Sequence, residues 1–142
     1  MNLTKILFSL VGSTLLLIAL PASAGTVVVV SSGNGITELD ASVISRIYLG
    51  KSSSFPNGSS AVPIDQTEGS APRNEFAEKV LGKSESQLKA YWSKLIFTGK
   101  GTPPKAVGDS SEVKKLIADN PNMIGYIDES AVDEAVNVVF RF

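Results

Sequence analysis

The segment TVVVVSS, residues 26–32, constrains the fold more than any other. Its first five residues are all β-branched, which disfavours a helix and suits the pleated, extended backbone. No polar residue alternates with the valines, so both faces of the resulting strand need apolar cover. A strand of that kind belongs in the interior of a sheet with packing layers on either side, and it is expected to be central.

The segments that follow supply those layers. After the turn Gly33-Asn34-Gly35, Thr37 and Asp40 are spaced as a weak capping box. Val43, Ile44, Ile47 and Tyr48 then share one helical face, closed by Gly50. KSSSFPNGSS (51–60) has loop composition, and AVPIDQ (61–66) reads as a short second strand that Pro63 makes either an edge or a strand with one unpaired position. Phe76, Ala77, Val80 and Leu81 mark a second helix with Gly82 as its cap. Ser84 and Gln87 form a capping box before Leu88, Tyr91, Trp92, Leu95 and Ile96, a stripe that reads as core. TGKGTPPKAVG (98–108) reads as loop. Asp109 and Glu112 open a helix with Val113, Leu116 and Ile117 inward, ended by Asn120-Pro121. MIGYI (123–127) and VNVVFRF (136–142) are the last two strands. Strands alternating with helices predict an α/β fold, a largely parallel sheet of about four strands flanked by helices.

Residues 1–24 read as a secretory signal peptide: Lys5 near the start, the apolar run Ile6–Leu20, and Ala22-Ser23-Ala24 before Gly25. The run is shorter than the roughly 20 residues of a spanning helix. Residues 25–142 are then one domain, with 12 basic side chains against 14 acidic, a net charge of −2. That balance argues against nucleic acid and against a polybasic membrane contact. The chain has no cysteine and no histidine. Disulfides, Cys or His nucleophile chemistry and the usual zinc and haem ligands are therefore excluded. Binding is favoured over catalysis, and no cofactor is expected.

One stretch carries candidate chemistry, DQTEGSAPRNEF (65–76). A strand ends, a Gly69-Ser70-Ala71 turn follows, and a helix begins near Pro72, whose missing N–H is not needed in a first turn. The Ser70 hydroxyl, the amides after it and the positive end of the helix converge on a spot suited to phosphate or sulfate. Arg73 can add a guanidinium and Glu68 an acceptor. The same residues also make an ordinary helix start. Ser32, at the end of the first strand with Ser31, Gly33 and Asn34, is placed to bring a second set of donors, and the same residues equally make a plain turn.

Taken in order, VVVVSS, LDASVISRIYLGK, FPNG, VPIDQTEGSAPRNEF, YWSKLIFTGKGTPP and NMIGYID resemble the phosphate-binding periplasmic proteins of ABC transporters. The likeness is stronger to short substrate-binding proteins of that type that keep one of the two lobes. The resemblance implies a single periplasmic-binding-protein-like lobe, an exported non-enzymatic protein, and inorganic phosphate or a similar oxyanion as ligand. In that family an Arg-Ser-Asp-Gly-Ser-Gly-Thr turn holds phosphate. Here Gly69 and Ser70 are kept and Glu68 retains a carboxylate, while Gln66 stands for the Arg and Ala71-Pro72 for the Gly-Thr. The implied ligand set is Glu68, Gly69, Ser70, Ala71 and Arg73, to which the strand-end reading adds Ser32. A membrane permease, another envelope protein or a second copy of the chain are the partners this leaves open. The rival reading is a degenerate lobe that binds no anion and docks on a periplasmic partner.

Overall fold

A computed structural model of the chain describes residues 25–142, so the signal-peptide reading lies outside the described residues. The valine run forms β1 (Thr26–Ser31), buried along its whole length. After it come a 3-10 turn at Ser32–Asn34, α1 (Ala41–Tyr48), β2 (Val62–Asp65), and α2 (Ala71–Phe76) continued by a π-helical turn over Ala77–Leu81. The remainder is α3 (Glu85–Phe97), β3 (Lys105–Ala106), α4 (Ser110–Asp119), β4 (Met123–Asp128), a 3-10 turn at Glu129–Ala131 and β5 (Val136–Arg141).

The strands make one sheet in the order β3-β2-β4-β1-β5, with β1 in its interior. Successive valines leave β1 on opposite faces. Val28 and Val30 enter one core with Ile44, Ile47 and Tyr48 of α1 and with Phe76 and Val80. Val27 and Val29 enter a second with Val113 and Ile117 of α4. Three layers result, and the expected α/β lobe is what forms.

Two details of the sheet differ from expectation. Among the described residues it has five strands, because Lys105–Ala106, in the segment read as loop, pairs with β2. Strand directions are also mixed: β2 is parallel to β3 and β4, whereas β1 is antiparallel to β4 and β5. A run of valines specifies cover on both faces and is silent on direction, and two residues are too few for any periodicity to register.

The capping boxes at Ser84/Gln87 and Asp109/Glu112 both form. The one read at Thr37/Asp40 does not: Asp40 is itself the N-cap, without a side-chain cap bond. The stripe on α3 is only partly core. Leu88 and Trp92 are buried, but Ile96 is 53% exposed. The helix packs through Leu88 on Leu49 and Ala77 rather than on the sheet, and its C-terminal half runs past that support.

Gly125 of β4 lets α4 lie close on the sheet. A Cβ there would stand 2.7 Å from Val113 Cγ1 and 3.3 Å from Ile117 Cδ1. Gly125→Ala is expected to destabilise the fold by about 1–3 kcal/mol through overpacking. The readout is a lower urea midpoint at unchanged m; an unchanged midpoint would mean that α4 lifts freely.

Candidate functional site

The turn after β2 forms as the sequence suggests. Gly69 has φ 83°, a left-handed conformation that favours glycine, and the Ser70 amide donates to Thr67 O at 3.1 Å. Ser70 is the N-cap of α2, with Pro72 in its first turn. The Ser70 side chain caps nothing, and its Oγ is buried without a hydrogen-bond partner. Ala71 and Arg73 supply first-turn N–H groups, and Pro72 supplies none.

Arg73 points inward. Its Nη1 donates to Gln66 O at 2.9 Å and lies 3.8 Å from Asp65 Oδ2, and its Nη2 lies 3.0 Å from Glu85 Oε1 at the start of α3. The contact with Glu85 is an ion pair rather than an aligned hydrogen bond, since neither Glu85 oxygen is hydrogen-bonded; Arg73 Nε is likewise buried without a partner. Glu68, on the rim, pairs with Lys89 of α3. The hydrogen bond from Lys89 holds the Glu68 carboxyl below its usual range.

Beneath the turn lies a polar network that the sequence does not announce. The Tyr126 hydroxyl donates to Asp65 Oδ1, which also accepts from the Gln66 amide at 2.9 Å. Burial raises the Asp65 carboxyl above its ordinary range, partly offset by the bond from Tyr126 and the charge of Arg73. Burial first, then the charge of Asp65, pushes the Tyr126 hydroxyl far above its usual range. Gln66, 1% exposed, donates through Nε2 to Tyr126 O at 2.8 Å and to Ser110 Oγ at 3.1 Å. This neutral side chain ties the end of β2 to β4 and to the first residue of α4.

The structure brings Glu68, Gly69, Ser70, Ala71 and Arg73 together and leaves Ser32 apart. Thr26 pairs with Asp128 and Val30 with Ile124, while Val62 and Pro63 pair with Met123 and Ile124. Asp65 and the turn after it therefore share one end of the sheet with Thr26. Ser31 and Ser32 lie at the other, roughly 15 Å or more away along β1. Ser31 Oγ accepts from the Gly33 amide and donates to Ala118 O, so it serves the local turn.

A groove of about 300 Å³ opens between the turn and α3, lined in part by Glu68, Arg73, Glu85, Lys89, Trp92 and Ile96. A larger and more apolar groove of about 460 Å³ runs beside Val62–Ile64 and Pro103–Pro104, away from the Ser70 turn. We place the candidate site at the smaller one because charged groups converge there. Two carboxylates, those of Glu68 and Glu85, face two cations, Arg73 and Lys89, there, and Asp65 meets Arg73 from beneath the turn. No group of three or more acidic side chains among the described residues is placed to hold a metal ion.

No protein-family model and no curated protein matches the sequence. Solved structures do. A protein from Clostridium perfringens, described as a phosphate ABC transporter substrate-binding protein with bound phosphate, superposes with a TM-score of 0.65 at 25% identity over 81% of this chain and 44% of its own. An ABC-type phosphate transport receptor from Vibrio cholerae gives 0.63 at 21% identity, with 81% and 45% covered. PstS from Borrelia burgdorferi gives 0.60 at 13%, with 81% and 46% covered. The chain thus spans less than half the length of the structures it matches. Over most of its described length it has the fold of one part, a little under half, of the phosphate ABC transporter substrate-binding proteins.

Proposed function

We propose that this chain is an exported, periplasmic, non-enzymatic relative of the phosphate-transporter substrate-binding proteins that takes inorganic phosphate or a similar oxyanion at the Ser70 turn. The observation that carries the reading is the buried Ser70 Oγ, which has no partner at the start of a helix. A buried polar group left unpaired costs about 1–3 kcal/mol, and an anion oxygen would relieve that cost. The superposition on a protein solved with bound phosphate supports the ligand class. The anion would meet Ser70 Oγ, the amides of Ala71 and Arg73 and the Gly69 backbone. Glu68 pairs with Lys89 through Oε1, which leaves its second carboxylate oxygen to accept a hydrogen bond from a protonated phosphate oxygen.

Affinity is expected to be low. Arg73 already faces Asp65 and Glu85, so little net positive charge remains for a ligand. A Kd in the millimolar range, near −4 kcal/mol, fits that balance. A membrane permease, another envelope protein or a second copy of the chain would be the surface that covers the open side.

A second reading rests on the same ion pairs. With Arg73 and Lys89 both neutralised by neighbouring carboxylates, the lobe would bind no anion and would serve as a docking protein in the periplasm. Calorimetric titration of residues 25–142 with phosphate and with sulfate separates the two. Millimolar binding that disappears in Ser70→Ala supports the anion site. No heat, and no thermal stabilisation at tens of millimolar phosphate, would sink it and leave the docking role.

A further inference from the structure

We propose that the C-terminal tip of α3 is a contact site for an anionic lipid surface, with Ile96 and Phe97 entering the headgroup boundary and Lys94 and Lys100 meeting the phosphates. Phe97 is 92% exposed and Ile96 53% exposed. Single exposed apolar residues are ordinary, but these two are adjacent and project from the end of a helix. The tip is well formed: Thr98 N donates to Lys94 O, Gly99 N to Ile96 O, and Lys100 N to Leu95 O at 2.8 Å. Phe97 is therefore presented by closed backbone rather than by a fraying end.

Charge is segregated along the chain in the segment that holds this tip. Residues 86–108 contain Lys89, Lys94, Lys100 and Lys105 and no acidic residue, while the rest of residues 25–142 holds 8 basic against 14 acidic side chains. Lys89 is engaged by Glu68, and Lys94 and Lys100 remain exposed on either side of Phe97. Cations near a helix C-terminus also suit the helix dipole, which accounts for the lysines but not for a fully exposed phenylalanine between them. The net charge of −2 argues against a basic membrane contact only if charge is spread evenly. Here the acidic remainder would point the tip toward an anionic surface.

Lipid is favoured over a protein partner on two counts. Two side chains present far less area than the roughly 800 Å² that each partner buries in a stable protein interface. Lysine is also depleted in such interfaces, whereas anionic membrane surfaces attract it, by on the order of fivefold in affinity per residue near the surface. Phenylalanine and isoleucine beside lysines suit the boundary between headgroups and acyl chains.

The test is co-sedimentation of residues 25–142, which contain the whole sheet and both of its cores, with phosphatidylcholine vesicles alone and with added phosphatidylglycerol. The segment 1–24 is left out because its apolar run would itself enter lipid. Binding to the anionic vesicles is expected to exceed that to the neutral ones by about tenfold or more and to fall in high salt. Phe97→Ser and the pair Lys94→Glu, Lys100→Glu should each abolish it with circular dichroism unchanged. Equal binding to both vesicles, or binding that survives Phe97→Ser, would overturn the proposal. Failure to sediment with anionic vesicles would also overturn it and return the tip to a protein partner.

Discussion

Phe76→Ala is expected to destabilise the fold by about 3–5 kcal/mol, lowering the midpoint of thermal unfolding by roughly 10–20 °C for a chain of this size. Phe76 is 2% exposed and sits at the centre of an aromatic group. Its ring stacks on Tyr126 at 4.3 Å between centroids, meets Tyr48 edge-on at 4.6 Å and Phe142 at 5.8 Å. Aromatic pairs of this geometry add about 0.5–1.5 kcal/mol each beyond the area they bury, and alanine loses all three together. Tyr126 and Tyr48 also hold buried hydrogen bonds, Tyr126 to Asp65 and Tyr48 to Ile64 O at 2.8 Å. Loosening the stack should reach the network beneath the Ser70 turn. Near-ultraviolet circular dichroism should lose intensity at temperatures where the far-ultraviolet signal is still native. Phe76→Leu, which keeps most of the apolar volume, should lose less. A loss under about 1 kcal/mol for alanine would mean that the site collapses to refill the space, and that the stack is not what fixes α2 on the sheet.

The features legible in the sequence are those set by neighbours along the chain. Ser84 with Gln87 and Asp109 with Glu112 are three residues apart, and both boxes close as expected. The valines of β1 state their own burial, and the Gly69-Ser70 turn opens a helix because glycine, N-cap and proline stand in the order a helix start requires. What stayed hidden depends on distant partners. Tyr126 and Asp65 are 61 positions apart, and MIGYI reads as a buried strand whether or not its tyrosine bonds to a carboxylate. Ser32 is a suitable donor at a strand end, but the wrong end of the sheet, because its place depends on the direction of β1 relative to β2. Arg73 looked free to hold an anion because Glu85, twelve residues on, gives no local sign that it will face the guanidinium. Ile96 kept its helical spacing and lost its cover, since periodicity reports a face and not what lies against it.

Arg73 is where the anion reading and the structural reading can be separated by stability alone. Its side chain is 18% exposed and that of Glu85 23%, so the pair is largely removed from water. Removing one partner of a buried pair costs about 3–5 kcal/mol because the other charge is left uncompensated; with this residual exposure, about 2–4 kcal/mol is expected for Arg73→Ala. Glu85→Ala should cost less, since Asp65 and Gln66 O still engage the guanidinium. The double variant should recover part of the loss, giving a coupling of about 1–3 kcal/mol in urea denaturation. An arginine held open for a ligand behaves differently: its removal would change stability little in the absence of anion, and the coupling would be near zero. A large coupling thus identifies Arg73 as the strut between the turn and α3. Any anion affinity must then come from Ser70 and the helix start, because a guanidinium that holds two carboxylates has little charge left to offer a third.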